Sequence, residues 1–164
     1  MEVVGSVPVT AANTYQTDSG AAMTATIVTI AEAVVDEINA SSFSQPLVAA
    51  RHYKPSFELS EMSELKVSVV PRSVTSKALD RARDSFEYQI DVAVQKRVDE
   101  SLTALDELMQ LVEEIADHLR TSPLTTLPDV RCMEVVNAPI YASEHLHELR
   151  QFTSLLTLTY RKYR

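Results

Sequence analysis

Glycine occurs only twice in the 164 residues, at Gly5 and Gly20, so everything from Ala21 to Arg164 must fold and turn without it. Phosphate-cradling loops, dinucleotide fingerprints and strained nucleophile elbows all need glycine. They use it where the backbone approaches a ligand closely or adopts a positive φ. None of these motifs can be written after Gly20, which excludes the common nucleotide-binding and hydrolase classes. Turns must be made by Pro, Asn, Asp and Ser instead.

The chain is 45% hydrophobic and 23% charged. That balance predicts one soluble globular domain with a single core, and not a disordered chain. A net charge of -8 argues against a broad basic footprint for nucleic acid. No apolar run reaches the roughly 18 residues of a membrane helix. The longest candidate, Ala21 to Ile38, is broken by Glu32, Asp36 and Glu37. Glu2 stands at the start and the first basic residue is Arg51, the reverse of a secretory leader. Cys132 is alone and has no internal disulfide partner, as expected of a protein kept in a cytoplasm.

Periodicity supplies the elements. Residues 1–22 are rich in Val, Thr, Ala and Ser, interrupted by Pro8, Asn13 and Gly20. They read as an extended arm, either a frayed terminus or a strand that pairs with a neighbouring subunit. A single α+β domain follows over 23–164. From Met23 to Ala40, Ile27, Ile30, Ala31, Val34 and Ile38 recur at spacings of three and four and predict a helix. Strands are expected over Leu47–Lys54 and Leu65–Val70, joined by a polar connector with Leu59 and Met62 as anchors. Residues 72–84 read as a long, net basic loop. Phe86, Tyr88, Ile90, Val92 and Val94 alternate with polar residues, giving a strand with one apolar and one wet face. Asp99 is expected to open a second helix with the stripe Leu102, Leu105, Leu108, Met109, Val112, Ile115, Ala116 and Leu119. Val130–Val136 and Gln151–Tyr163 complete the set as strands. The fold expected is α+β: a mostly antiparallel sheet of about five strands with two amphipathic helices on one face.

The chemistry-bearing residues have structural explanations. His145 and His147 would share a strand face, but only Glu144 or Glu148 could join them as metal ligands, so no metal and no cofactor are expected. Cys132 lies beside Met133 in a strand and reads as a small buried hydrophobe. Asp106, Glu107, Glu113, Glu114 and Asp117 sit on the polar face of a helix. No catalytic residue is assigned, and the chain reads as no enzyme. Two surfaces stand out as contact candidates. One is the basic loop with Arg72, Lys77, Arg81 and Arg83, interleaved with Asp80 and Asp84. It has no aromatic platform for stacked bases. The other is the connection carrying Tyr141, His145, His147 and Arg150.

The segments Ala50-Arg-His-Tyr-Lys-Pro55, Val67-Ser-Val-Val-Pro71, Tyr88-Gln-Ile-Asp-Val-Ala-Val94, Leu105 to Asp117, Asn137-Ala-Pro-Ile-Tyr141 and Phe152 to Tyr160 follow a recognisable order. The order is an opening helix, a strand ending in a V-x-V-x-P step, a long loop, a strong strand, a Leu-rich helix and a closing strand pair. It resembles tail-terminator (tail completion) proteins of the neck and tail module of long-tailed bacteriophages, over most of residues 24–164. The resemblance implies a virion protein made in the host bacterial cytoplasm. It implies a homo-oligomeric, typically hexameric, ring on the head-proximal end of the tail tube. Its partners would be the major tail tube protein and the head–tail connector or head-completion protein, with genomic DNA passing through the lumen without specific binding and no membrane contact. A head-completion or connector protein, a small ligand-binding α/β domain and a nucleic-acid adaptor are the alternatives.

Overall fold

The computed structural model describes residues 24–54, 63–80, 83–99 and 101–163. The arm over 1–22, the anchors Leu59 and Met62, and Arg81 lie outside the described residues. The elements run α1 (Thr26–Ala40), β1 (Ala49–Arg51), β2 (Lys66–Ala78), β3 (Asp84–Arg97), α2 (Leu102–Thr121), β4 (Arg131–Asn137), α3 (Ser143–Leu149) and β5 (Gln151–Tyr163). The five strands form one sheet in the order β1-β2-β3-β5-β4. Only β1 and β2 pair in parallel; the other three pairs are antiparallel. The α+β architecture expected from the sequence is the one observed.

Register explains the core. Val92 lies between Val69 of β2 and Leu156 of β5, and Tyr88 between Val74 and Tyr160. Val67, Val69, Ile90, Val92, Val94, Leu156 and Leu158 therefore share one face, and all are buried. Against that face pack Ile30, Val34 and Ile38 of α1 and Leu108, Leu111, Val112, Ile115 and Leu119 of α2. Burying each of these aliphatic side chains stabilises by roughly 1.5–3 kcal/mol relative to exposure, which outweighs the absence of a side-chain cap at either helix N-terminus.

The structure departs from the sequence reading at several points. Residues 72–84 are not a long loop. β2 continues to Ala78, and β3 begins at Asp84. The two form a long hairpin with a register shift between Pro71 and Ser73. On the β2 arm the residues past Pro71 are exposed or half-buried on both faces, so the alternation that marks a strand is lost there. The strand expected over 47–54 shrinks to Ala49–Arg51, because it is an edge strand paired only with Val67–Val69. α2 starts at Leu102 with Ser101 as its N-cap residue, not at Asp99, and Leu102 is 79% exposed. The connection with His145 and His147 contains the short helix α3. Finally, the polar face of β3 is not wet throughout. Ala93 and Gln95 are buried, as is their neighbour Ser68.

Candidate functional site

The basic residues picked out by sequence do not form one patch. Arg72 sits at the register shift in β2, where an extra residue reorients the side chain. Its Nη1 reaches across the polar sheet face to Asp91 Oδ1 at 3.3 Å and Thr157 Oγ1 at 3.2 Å. Thr157 in turn donates to Asp91 at 2.8 Å. Four residues along the same two strands, Arg161 pairs with Glu87. The guanidinium holds the Glu87 carboxyl below its ordinary value, first by hydrogen bonding and further by charge. Arg83 folds back on Asp80 in the hairpin tip at 3.0 Å. Lys77 is exposed on the outer half of β2. The hairpin therefore carries cations along one strand edge and tip, most of them already partnered by acids.

The second candidate surface is one stretch of chain between β4 and β5. α3 follows directly on β4 and lies beside the start of β5, where the Ala142 N–H donates to Thr153 O at 2.9 Å. His145 Nδ1 lies 3.2 Å from Thr153 Oγ1, while His147 is exposed. Two residues apart on a helix, they point in different directions, so the shared strand face expected for a metal pair does not exist. Among the described residues no group of three His, Cys, Asp or Glu could hold a metal ion. Arg150 ends the helix in the left-handed region at φ 50°, and its carbonyl accepts from the Val98 N–H at 2.9 Å. Met133 and Val136 of β4, Ile140 and Tyr141 of the connection and Leu149 of α3 are all exposed. Sequence reasoning found Tyr141 but missed the others. The strand expected over Val130–Val136 carried no sign that it would be outermost in the sheet.

A polar constellation that the sequence did not suggest ties the helix ends together. His118 Nε2 lies 2.7 Å from Ser41 Oγ and 3.0 Å from Glu37 Oε1, and the imidazole meets Phe43 edge-on. Thr125 donates to the other Glu37 oxygen at 3.1 Å. A hydroxyl, an imidazole and a carboxylate suggest a nucleophilic triad, but the connectivity is wrong. Ser41 Oγ donates its proton to Glu37 O at 2.8 Å, so His118 is a donor to Ser41 and not its base. Ser122 Oγ stands 3.4 Å from Nδ1 at the C-terminal end of α2. The partial charge there is negative and opposes an oxyanion. The constellation is a structural joint between α1, α2 and the segment that follows.

Cys132 is half-buried, and its thiol donates to Glu134 O at 3.6 Å. Burial pushes the thiol above its ordinary value, only partly offset by Glu134 O and the Arg120 charge, so it is held as an unreactive thiol. It borders a cleft of about 350 Å³ between the end of α2 and the start of β4, together with Arg120, Leu124, Val130 and Tyr160. The Tyr160 hydroxyl there is buried without a hydrogen-bond partner.

No family model and no curated protein matches the chain in sequence. Among solved structures, a similar chain is the sheath/tube terminator of an extracellular contractile injection system, PVC, seen by cryo-EM in the extended state. The TM-score is 0.45 at 13% identity, over 87% of this chain and 57% of that one. The chain thus spans little more than half the length of that structure, and a likeness at this level assigns no function.

Proposed function

We propose that this protein is a structural virion component. It caps the head-proximal end of a phage tail tube as a homo-oligomeric ring and joins it to the head–tail connector. The observation that carries the reading is the pattern of what is left uncovered. Among the described residues, the outer edge of β4 and that of β2 beyond Val69 have no strand beside them, the outer half of β2 is exposed, and Met133 and Val136 of the outermost strand are exposed apolar side chains. The order of elements that the sequence resemblance implies supports it, with the long loop of that plan replaced by a hairpin. The histidine joint and the neutral Cys132 support a non-enzymatic role. The net charge of -8 suits a lumen through which DNA passes without being gripped.

The test is light scattering coupled to size-exclusion chromatography, with the protein alone and with its cognate tail tube protein, followed by electron microscopy of the capped tubes. Rings seated at one tube end are expected. A protein that stays monomeric in both conditions and leaves tube length uncontrolled is incompatible with the reading. A position between the connector and the head, with none on the tube, would favour a head-completion role.

A further inference from the structure

We infer that the ring is built by sheet continuation: the outer edge of β4 in one copy pairs with the bare outer edge of β2 in the next. This rests on the ring reading above and names the contact that makes it.

Among the described residues, β1 covers only Val67–Val69 of β2, with the His52 N–H closing the pairing on Val69 O. From Val70 to Ala78 none of the described residues forms a strand beside the outer edge of β2. On the far side of the sheet the seven residues of β4 pair with β5 alone. Unpaired strand edges of this length are templates for another chain. Pro71 and the register shift after it interrupt the β2 edge near its start, leaving Ser73–Ala78 as the run open to a partner. Six residues on one edge face seven on the other.

The partner is a second copy of this chain, for three reasons. The two edges differ, so a contact between them is heterologous and repeats head to tail until it closes into a ring. Strand polarity fits as well. β4 runs antiparallel to β5, β5 to β3 and β3 to β2, so β4 is antiparallel to β2. Copies standing the same way up therefore meet in the antiparallel pairing this sheet uses at three of its four junctions. The chemistry also matches. Lys77, on the open run of β2 that carries no acid, and the exposed Glu134 of β4 lie on the same face of the sheet, with Arg131 the one cation of β4. Exposed Val74 on one edge lies on the face that carries Tyr88, and exposed Met133 stands at the register shift of the other.

The registers also set a stagger. Arg131 lies level with Thr75, through Arg161 and Glu87, and Asn137 with Val69, through Leu156 and Val92. The free β2 edge runs three residues past that level, about 10 Å at ~3.3 Å per residue. A shift repeated at each junction is the shear that tilts strands when a sheet closes on itself.

The test is disulfide trapping in the full chain, with Cys132→Ser as the background. One population carries Val74→Cys or Thr75→Cys, the other Met133→Cys or Glu134→Cys. Adjacent positions cover both sheet faces. Mixed and oxidised, the two populations are expected to give a covalent heterodimer as the main product in at least one pairing, and neither alone is expected to dimerise. Cross-linking within a single population would mean like edges meet, and overturns the inference. Rings that form without any mixed cross-link overturn the edge contact while leaving the ring reading intact. A protein that forms neither rings nor cross-links overturns both. A cross-link between Val4→Cys and Met133→Cys, in place of the mixed product, would show that the N-terminal segment covers β4, and also overturns it.

Discussion

Asn39 stands where the neighbour of an edge strand would be. Its Nδ2 donates to Ala49 O at 3.0 Å, and its Oδ1 accepts from the Ala49 N–H at 2.8 Å. One carboxamide thus satisfies both main-chain groups of a buried residue in β1, as a paired strand would. Asn39→Ala is expected to cost about 1–3 kcal/mol in chemical denaturation, because both groups lose their partners. Asn39→Asp is expected to cost at least as much at neutral pH, since a carboxylate cannot donate to the Ala49 carbonyl. Equal stability of wild type and both variants would show that solvent replaces the amide. Tyr160 is the opposite case, a buried hydroxyl without a partner. Tyr160→Phe keeps the ring in the core and removes the unsatisfied group. It is expected to raise stability by about 1 kcal/mol, and a loss would mean that the hydroxyl is bonded in solution.

At the scale of elements, the sequence disclosed those that bury one face and concealed those that bury none. The α1 stripe, the β3 alternation and the whole of β5 were legible because each has a continuous apolar row against the core. β5 was located at Gln151–Tyr163, as observed. The outer half of β2 was not legible. Past Pro71 only Val74 remains of the apolar row, and Ser73, Thr75 and Lys77 read as loop. The β-branched pair Val74-Thr75 was the available signal. α3 was hidden for a related reason: none of its residues is buried, so its seven residues have no periodicity to show. Leu102 fits the helical stripe by spacing but lies at the first turn, beyond the sheet. The contact surfaces were half-legible. Charge marked the hairpin, but the exposed apolar residues of β4 emerge only when it is seen to be outermost. Val69 and Val74 test the division between the core and the outer half of β2. Val69→Ala is expected to cost about 2 kcal/mol, because it opens a cavity in the core beneath α1. Val74→Ala is expected to change stability by less than about 0.5 kcal/mol. Amide exchange should follow the same line, with Ser73–Ala78 opening well before Val67–Val70. Comparable costs at the two positions would mean that the outer half of β2 belongs to the core.

For the molecule as a whole, the carboxylates and the two buried acids of opposite behaviour define a pH window. Glu87, Glu114 and Asp129 are all held below their ordinary values. A hydrogen bond from Arg161 does this for Glu87, the Ser44 N–H at 2.8 Å for Glu114, and Lys162 at 2.8 Å for Asp129. On acidification the unfolded chain takes up protons at these sites before the folded one does. Their stabilisation is therefore complete above the ordinary carboxylate range and is lost as pH falls through the lowered values. Cys132 and Tyr160 are shifted upward by burial, from ordinary values of 9.0 and 10.0. There the unfolded chain loses protons first, so stability is complete below those values and declines as pH rises past them. A plateau between about pH 5 and pH 8 with a fall on each side is the expected profile. Two variants separate the limbs in urea titrations across pH. Arg161→Gln removes the guanidinium that depresses Glu87 and is expected to flatten the acid limb while leaving the alkaline one unchanged. Tyr160→Phe in a Cys132→Ser background removes both buried acids and is expected to abolish the decline that begins near pH 9, with the acid limb intact. An alkaline fall that survives the double substitution would mean that groups other than these two set the limb.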